Sequence, residues 1–181
     1  MNKNAENTLQ QINNTLDALA SQGIVKFVMP CEVNESPINN VKISWKNHTG
    51  GRSVSSRAFN MVEQYFAILS SMSYHAILID YSIIRVSFTF ENEKLLSQNL
   101  LWWPCPVKLN KAMEEEYGLL ESIKNLIEDV EAEKYLNMRT PIRVDFDDSN
   151  NTKTHPRAHL HIQLNMTSRM NSKAVQVEQL S

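Results

Sequence analysis

Two neighbouring segments carry the residues whose types and spacing suit chemistry. Residues 142–147 alternate apolar with charged side chains, and residues 155–162 alternate apolar side chains with histidine and arginine. A polar turn-forming cluster, 149–153, separates them, so the pattern predicts an antiparallel β-hairpin with one apolar and one polar face. The polar face would hold three of the five histidines, two arginines and two aspartates: His155, His159, His161, Arg143, Arg157, Asp145 and Asp147.

The two faces constrain the register of this hairpin. The apolar faces share a core only if odd positions pair with odd positions, because a slip of one residue would bury the charges. A loop of about five residues places Asp145 opposite Arg157 and Arg143 opposite His159. A slip of two residues keeps the faces and brings Asp145 opposite His159 or His155. The faces are therefore predicted, and the cross-strand partners stay open between these registers.

Three interpretations of the polar face compete. In the first, the histidines and Asp145 bind a metal ion such as zinc or manganese, although the His-x-x-x-His-x-His spacing matches no established metal-site pattern. In the second, histidines act as general base and acid while Arg143 and Arg157 bind a phosphate. In the third, the face holds only cross-strand ion pairs, or docks onto a partner protein.

Hydrolysis of a phosphodiester in RNA or DNA is the leading functional hypothesis. The residues assigned to it are, for catalysis, His155, His159, His161 and Asp145 and, for substrate binding, Arg143 and Arg157. Asp145 would orient a histidine or bind an ion, so a divalent metal ion is a candidate cofactor without assigned ligands. The competing hypothesis is a non-catalytic component of a bacterial defence or toxin–antitoxin system. The candidate partners are accordingly a nucleic acid or another protein of the same locus.

Length and composition limit the class of protein. A chain of 181 residues with 18 basic and 20 acidic residues suits one domain and carries no overall basic field for nucleic acid. Cys31 and Cys105 lie far apart without a CxxC motif, so a reduced, cytoplasmic protein is expected. The polar N-terminus does not resemble a signal peptide, and apolar runs such as 76–79 are too short to span a bilayer. No membrane association is expected.

The rest of the chain predicts a single α+β domain whose antiparallel sheet is packed on one side by about three helices. Apolar periodicity predicts helices near residues 4–22, 53–72 and 110–135, and strands near 41–46, 76–90 and 142–162. Segment 95–107 is interpreted as a strand that ends in a proline-fixed crossing. The helix at 110–135 directly precedes the hairpin, so the apolar hairpin face is expected to pack on it. Leu160→Ala would then cost about 2–5 kcal/mol.

The other histidines and the paired tryptophans are assigned to structure. His48 lies beside Gly50 and Gly51 in a predicted turn, and such a histidine is usually solvated. His75 lies between a helix and an apolar strand, and is interpreted as a satisfied structural residue. Trp102 and Trp103 are more often core residues than a ligand wall.

Motifs of the C-terminal half occur in a recognisable order. Trp102-Trp103-Pro104 precedes a long helix, and the segments 141–147 and 155–161 follow it. This order resembles a bacterial family of uncharacterised proteins, a domain of unknown function, in which Arg-x-Asp-aromatic-Asp precedes His-Pro-x-x-His-Leu-His. The family pattern continues with Ser-Arg-Ile-Pro and a terminal helix, whereas Met170 follows Ser168-Arg169 here, so a shortened or diverged member is expected. The family has no assigned reaction, and the resemblance implies only that the hairpin matters.

Overall fold

The computed structural model describes residues 3–35, 40–46, 48, 62–129, 132–137, 139–149 and 156–162. These residues form α1 (Lys3–Ser21), β1 (Val25–Val28), β2 (Glu32–Glu35), β3 (Asn40–Ser44), α2 (Val62–Ser70), β4 (Ala76–Leu78), β5 (Ile83–Glu91), β6 (Lys94–Trp103), α3 (Lys111–Glu128), a 3-10 helix (Ala132–Tyr135), β7 (Ile142–Asp147) and β8 (Ala158–Ile162). Three parts of the sequence prediction lie outside these residues: the start of the helix at 53–72, residues 150–155 with most of the predicted turn and His155, and everything after residue 162.

All eight described strands belong to one antiparallel sheet. Its order is β1-β4-β5-β6-β7-β8, while β3 pairs with the second half of β5, and β2 pairs with β3. The predicted α+β class, with an antiparallel sheet and three helices, is confirmed. β6 is paired on both sides, by β5 and β7, and it ends at Trp103 because Pro104 cannot donate to the ladder.

The helices lie on two faces of the sheet, which corrects the expectation of a sheet packed on one side. Cross-strand pairing puts Ile83 opposite Trp103 on one face, where both join a core with residues of α2 and α3. Alternation puts Phe90 on the other face, where it joins Ala5 of α1 and Ile43 of β3 in a second core. The helix at the N-terminus thus covers sheet surface that α2 and α3 cannot reach.

The expected packing of the hairpin on the long helix is wrong. Ile123 and Leu126 of α3 are buried in the core shared with α2, β5 and β6, and that core contains no described residue of β7 or β8. Val144 pairs with Leu100 and Leu160, so the apolar hairpin face lies on the side of the sheet opposite to α3. Leu160 is 43% exposed, which removes the basis for a large cost of Leu160→Ala. Adjacency in sequence did not determine which sheet face the helix would cover.

The long helix is also shorter than predicted. Gly118 interrupts it with φ 76° and ψ 165°, and a 3-10 turn replaces its expected last residues. The positive φ is accessible to glycine at little cost, so the break occurs where the sequence allows it. The second part carries the buried residues Ser122, Ile123 and Leu126 into the core.

Candidate metal centre on the polar sheet face

The β7–β8 hairpin forms in one of the two predicted registers. Asp145 pairs with His159 and Arg143 pairs with His161. The register with Asp145 opposite Arg157 is therefore wrong, and the register shifted by two residues is adopted. Because that shift is even, the predicted faces are confirmed: Arg143, Asp145, His159 and His161 share one side of the hairpin.

Neighbouring strands extend this polar face with residues that the hairpin analysis did not include. One cross-strand row consists of Arg85, Leu101, Arg143 and His161 on β5 to β8. The next row consists of Ser87, Asn99, Asp145 and His159. Members of one row lie side by side on the same face. The polarity of Arg85 and Asn99 was visible in the sequence, but their place beside the hairpin depended on strand order.

Asp145 is the centre of the polar cluster. Asn99 donates from Nδ2 to Oδ1 at 2.5 Å, and Arg143 Nε lies 2.7 Å from Oδ2. The Nε2 atoms of His161 and His159 lie 3.2 and 3.6 Å from the same Oδ2 atom. The carboxylate is mostly buried, with 18% of its side chain exposed. One mostly buried carboxylate, that of Asp145, therefore contacts a guanidinium, an amide and two imidazoles.

The contact between His159 and the main chain determines which of its nitrogens faces the carboxylate. Nδ1 lies 3.1 Å from the carbonyl oxygen of Pro156. A carbonyl only accepts, so Nδ1 carries the hydrogen and Nε2 is directed at Asp145. In neutral His159 the Nε2 lone pair would face an anionic oxygen, an arrangement that a proton or a metal ion between them would relieve. Donation from Nδ1 to a carbonyl is also the usual way in which a metal-binding histidine is oriented.

The three side chains fit the ligand geometry of a metal ion. One atom each of Asp145, His159 and His161 lie within 4.8 Å of one another. Two ligands held tetrahedrally by zinc at about 2.0–2.1 Å are about 3.3 Å apart, close to the 3.2 and 3.6 Å between Asp145 and the two histidines. Two histidines and one carboxylate form a common ligand set that leaves coordination positions open. The histidine spacing alone matches no metal-site pattern, and the sequence indicated this ligand set only through the predicted hairpin, which places Asp145 on the strand beside the histidines.

The remaining predicted site residues are not gathered at Asp145. Arg157 is directed to the end of the hairpin, where Nη1 lies 3.5 Å from Asp148, and 53% of its side chain is exposed. Asp147 accepts from the backbone N–H and the hydroxyl of Ser149, as in a turn. His155 lies outside the described residues. The assignment of Arg157 to substrate and of His155 to catalysis stays a prediction.

A second pair of histidines lies near β3 and β5, and its first member is not the solvated turn residue expected from the sequence. His48 stacks on Trp45, with ring centroids 3.9 Å apart. Lys42 Nζ lies 3.0 Å from Nε2, and Ser44 Oγ lies 2.5 Å from Nδ1. Burial, then the charges of Lys42 and Arg85, lower the pKa of His48 to about 4. The ring is thus neutral at pH 7, accepting from Lys42 and donating to Ser44.

His75 is the second member, and it is fully buried, in agreement with a structural role, while its Nε2 atom has no hydrogen-bond partner among the described residues. Its Nδ1 accepts a hydrogen bond from the backbone of Val86 at 3.2 Å. Its ring meets Trp45 edge to face, with centroids 6.5 Å apart. Burial is the main reason that its pKa falls to about 4. His75 therefore joins β4 to β5 as a neutral residue, with no carboxylate ion-paired to it among the described residues.

The two cysteines are not suited to nucleophilic chemistry. Both are free thiols, as the sequence predicted. Burial raises the pKa of Cys31 to about 12 and that of Cys105 to about 11. Because the thiolate is the reactive form, neither residue is an activated nucleophile at neutral pH. The chemistry available to the described residues is therefore concentrated on the polar sheet face.

Fold and site together define an α+β protein with a candidate two-histidine, one-carboxylate centre on a sheet face. The chain belongs to the DUF2290 family of uncharacterised conserved proteins, whose family model matches residues 27–178. The resemblance expected from the C-terminal motifs is confirmed, and it extends to most of the chain. No curated protein and no solved structure matches the chain. No helix among the described residues is long and apolar enough to cross a membrane.

Proposed function

We propose that this protein is a phosphodiester hydrolase that uses a divalent transition-metal ion, zinc or manganese, held by Asp145, His159 and His161. The observation that carries the proposal is the convergence of these three ligands, within 4.8 Å of one another, beside the Arg143 guanidinium. A metal ion bound between these atoms would account for the direction of both imidazole Nε2 atoms toward one carboxylate oxygen.

The chemistry follows from what such an ion supplies. An ion held by Asp145, His159 and His161 would supply an activated water molecule as the nucleophile. In hydrolysis the water oxygen would bond to phosphorus and lose a proton, while the bond to the leaving oxygen would break and that oxygen would take up a proton. Arg143 lies at the edge of the site, where a guanidinium stabilises charge on phosphate oxygens.

Metal-free acid–base catalysis by the histidines is the alternative mechanism for the same reaction. The contact of His159 Nδ1 with Pro156 favours the metal version, because one ring nitrogen is already committed to the main chain. In the metal-free version, activity would follow a bell-shaped pH profile, because one group must act as base and another as acid.

Cleavage of short single-stranded RNA and DNA, with zinc or manganese and with a chelator, tests the proposal. We expect cleavage that the chelator stops, that added metal restores, and that Asp145→Asn abolishes. Chelator-resistant cleavage would replace the metal version with the histidine version. If circular dichroism shows that the protein is folded and no divalent ion supports cleavage, the proposal that it is an enzyme is refuted.

A second candidate function is suggested by the opposite side of the sheet. Trp102 and Ile142 are cross-strand neighbours there, each 37% exposed, and Leu160 is 43% exposed. Apolar side chains exposed together on one face are typical of protein-binding surfaces. On this hypothesis the protein is a non-catalytic component that binds another protein of its locus. Leu160→Asp should then abolish that complex while metal binding remains, and Asp145→Asn should do the reverse.

A further inference from the structure

Arg85 is a buried charge between the polar sheet face and the core that α2 and α3 share with β5 and β6. It is 3% exposed. Within the part of the chain that the structure describes, Nε and Nη1 of its guanidinium are buried and donate no hydrogen bond. An ionised group in the interior is strongly destabilising unless it is paired and hydrogen-bonded. The side chain therefore requires a partner that the described residues do not supply.

A cation–π contact with Trp45 holds this guanidinium over the indole ring. Its central carbon lies 4.4 Å from the ring centroid. A guanidinium that stacks through its flat face keeps its N–H groups in the plane, directed away from the ring. These N–H groups form a planar fork that matches two oxygens of a phosphate or carboxylate. Trp45 thus holds Arg85 without accepting a hydrogen bond from Nε or Nη1.

Apart from Asp145, the described groups nearest Arg85 are positive or neutral. Arg143 lies in the same cross-strand row, separated from Arg85 by Leu101. His48 and His75, which contact the other surfaces of Trp45, are neutral at pH 7. The one nearby carboxylate of the polar cluster, Asp145, is already engaged by Arg143 and Asn99. The local field of the described residues consequently favours an anion beside Arg85.

Burial, then repulsion from Arg143, lowers the pKa of Arg85 to about 10. The group is still protonated at neutral pH. Its positive charge therefore stays in the interior at neutral pH, and proton loss does not remove the need for a counter-ion.

We propose that Arg85, with Arg143 across Leu101, forms a binding site for a phosphate-type oxyanion. The site adjoins the Asp145 cluster through Arg143, whose Nε contacts that carboxylate. The anion would be a phosphate group of the nucleic-acid substrate, an identity that rests on the proposed function. The anion site itself rests only on the buried guanidinium.

Thermal unfolding in sodium phosphate, compared with sodium chloride of equal ionic strength, tests this site. The apparent Tm of the wild-type protein should rise with phosphate concentration, because a ligand that binds only the folded state stabilises it. Arg85→Met should abolish the rise, and in chloride it should unfold at the same Tm or higher, because an uncompensated buried charge has been removed. Arg85→Lys retains charge without the planar fork, and we expect phosphate affinity at least about tenfold weaker.

Arg139→Met is the matched control. Arg139 is also an arginine, but its Nη1 pairs with Asp80 at 2.8 Å, and 45% of its side chain is exposed. This variant should keep the full phosphate response. Wild-type protein without a phosphate response, or Arg85→Met protein that retains the full response, would overturn the site. Arg85→Lys decides the matter if Arg85→Met does not fold.

The two proposals fail separately. Asp145→Asn removes the metal ligand but leaves Arg85 in place, so phosphate should still stabilise this variant. Phosphate binding without any nucleic-acid cleavage would refute the hydrolase alone. Metal-dependent cleavage without an Arg85-dependent phosphate response would refute the anion site alone.

Discussion

Two pairs of histidines lie near the same face of one sheet, and their surroundings differ in charge. His159 and His161 lie around the carboxylate of Asp145. His48 and His75 surround Trp45 beside Arg85, and Lys42 reaches His48. An imidazole next to a carboxylate can hold a proton or a metal ion. An imidazole buried among cations stays neutral and serves as a hydrogen-bonding ring.

Histidine therefore has two different roles in this protein, and the charges of the neighbouring residues determine which one it has. The first pair would provide ligands, and the second would support the tryptophan on which Arg85 stacks. Leu101 separates the two clusters, because it lies between Arg85 and Arg143 in one cross-strand row. The comparison predicts that each cluster responds to its own perturbation.

The largest expected difference concerns metal binding. His161→Ala removes a ligand, and we expect metal affinity to fall by at least about 10²-fold, with loss of metal-dependent cleavage. The Tm of the metal-free protein should hardly change, since 36% of that side chain is exposed. Titration calorimetry with zinc measures the affinity. His48→Gln is the control, because that residue belongs to the other pair, and equal losses in both variants would contradict the division into two clusters.

Stability should depend on the apolar residue that separates the clusters. Leu101 is 2% exposed, so Leu101→Ala should lower the free energy of unfolding by about 2–5 kcal/mol. Leu160→Ala makes the same chemical change on the other sheet face and should cost about 1 kcal/mol, because Leu160 is 43% exposed. Urea unfolding measures both. Equal costs would mean that the assignment of the two faces is wrong.

Acid should destabilise the protein through the second histidine pair. The pKa of His75 falls from 6.5 to about 4 on folding, so between these values the unfolded chain binds the proton more readily. The free energy of unfolding is therefore unaffected by His75 above pH 6.5 and decreases as the pH falls below it. At pH 4 the loss from this residue is about 3 kcal/mol. His75→Gln can keep an acceptor for Val86 but does not titrate. Its unfolding free energy should therefore depend less steeply on pH, and parallel curves for variant and wild type would refute the assignment.

The sequence predicted what alternation alone can encode. The hairpin faces followed from strict alternation, and the end of β6 followed from Pro104. The register that places Asp145 opposite His159 and the one that places it opposite Arg157 differ by a slip of two residues. Such a slip leaves both hairpin faces unchanged, so alternation could not choose between the registers. The predicted packing of the hairpin on α3 failed because periodicity identifies an apolar face and not its partner.

The site was predictable in part for the same reason. Asp145, His159 and His161 were identified because they share one hairpin. Arg85 and Asn99 were missed as members of the site because their proximity results from the order β5-β6-β7-β8. His48 was interpreted as solvated because its contacts with Trp45 and Lys42 depend on how the chain folds back after β3.

The smallest expected effect concerns a residue that positions the metal ligand. Asn99 donates to Oδ1 of Asp145 at 2.5 Å, leaving Oδ2 directed toward the two histidines. Asn99→Ala removes this orientation, and metal affinity should fall by about tenfold, as for other partners of ligand carboxylates. Ser97→Ala is the control, because Ser97 lies two residues earlier on the same strand and pairs with Asp147 instead. Calorimetric titration of zinc into both variants separates the two outcomes. Unchanged affinity in Asn99→Ala would mean that Arg143 alone orients the carboxylate. The residues that determine metal binding at Asp145 would then all lie on the β7–β8 hairpin.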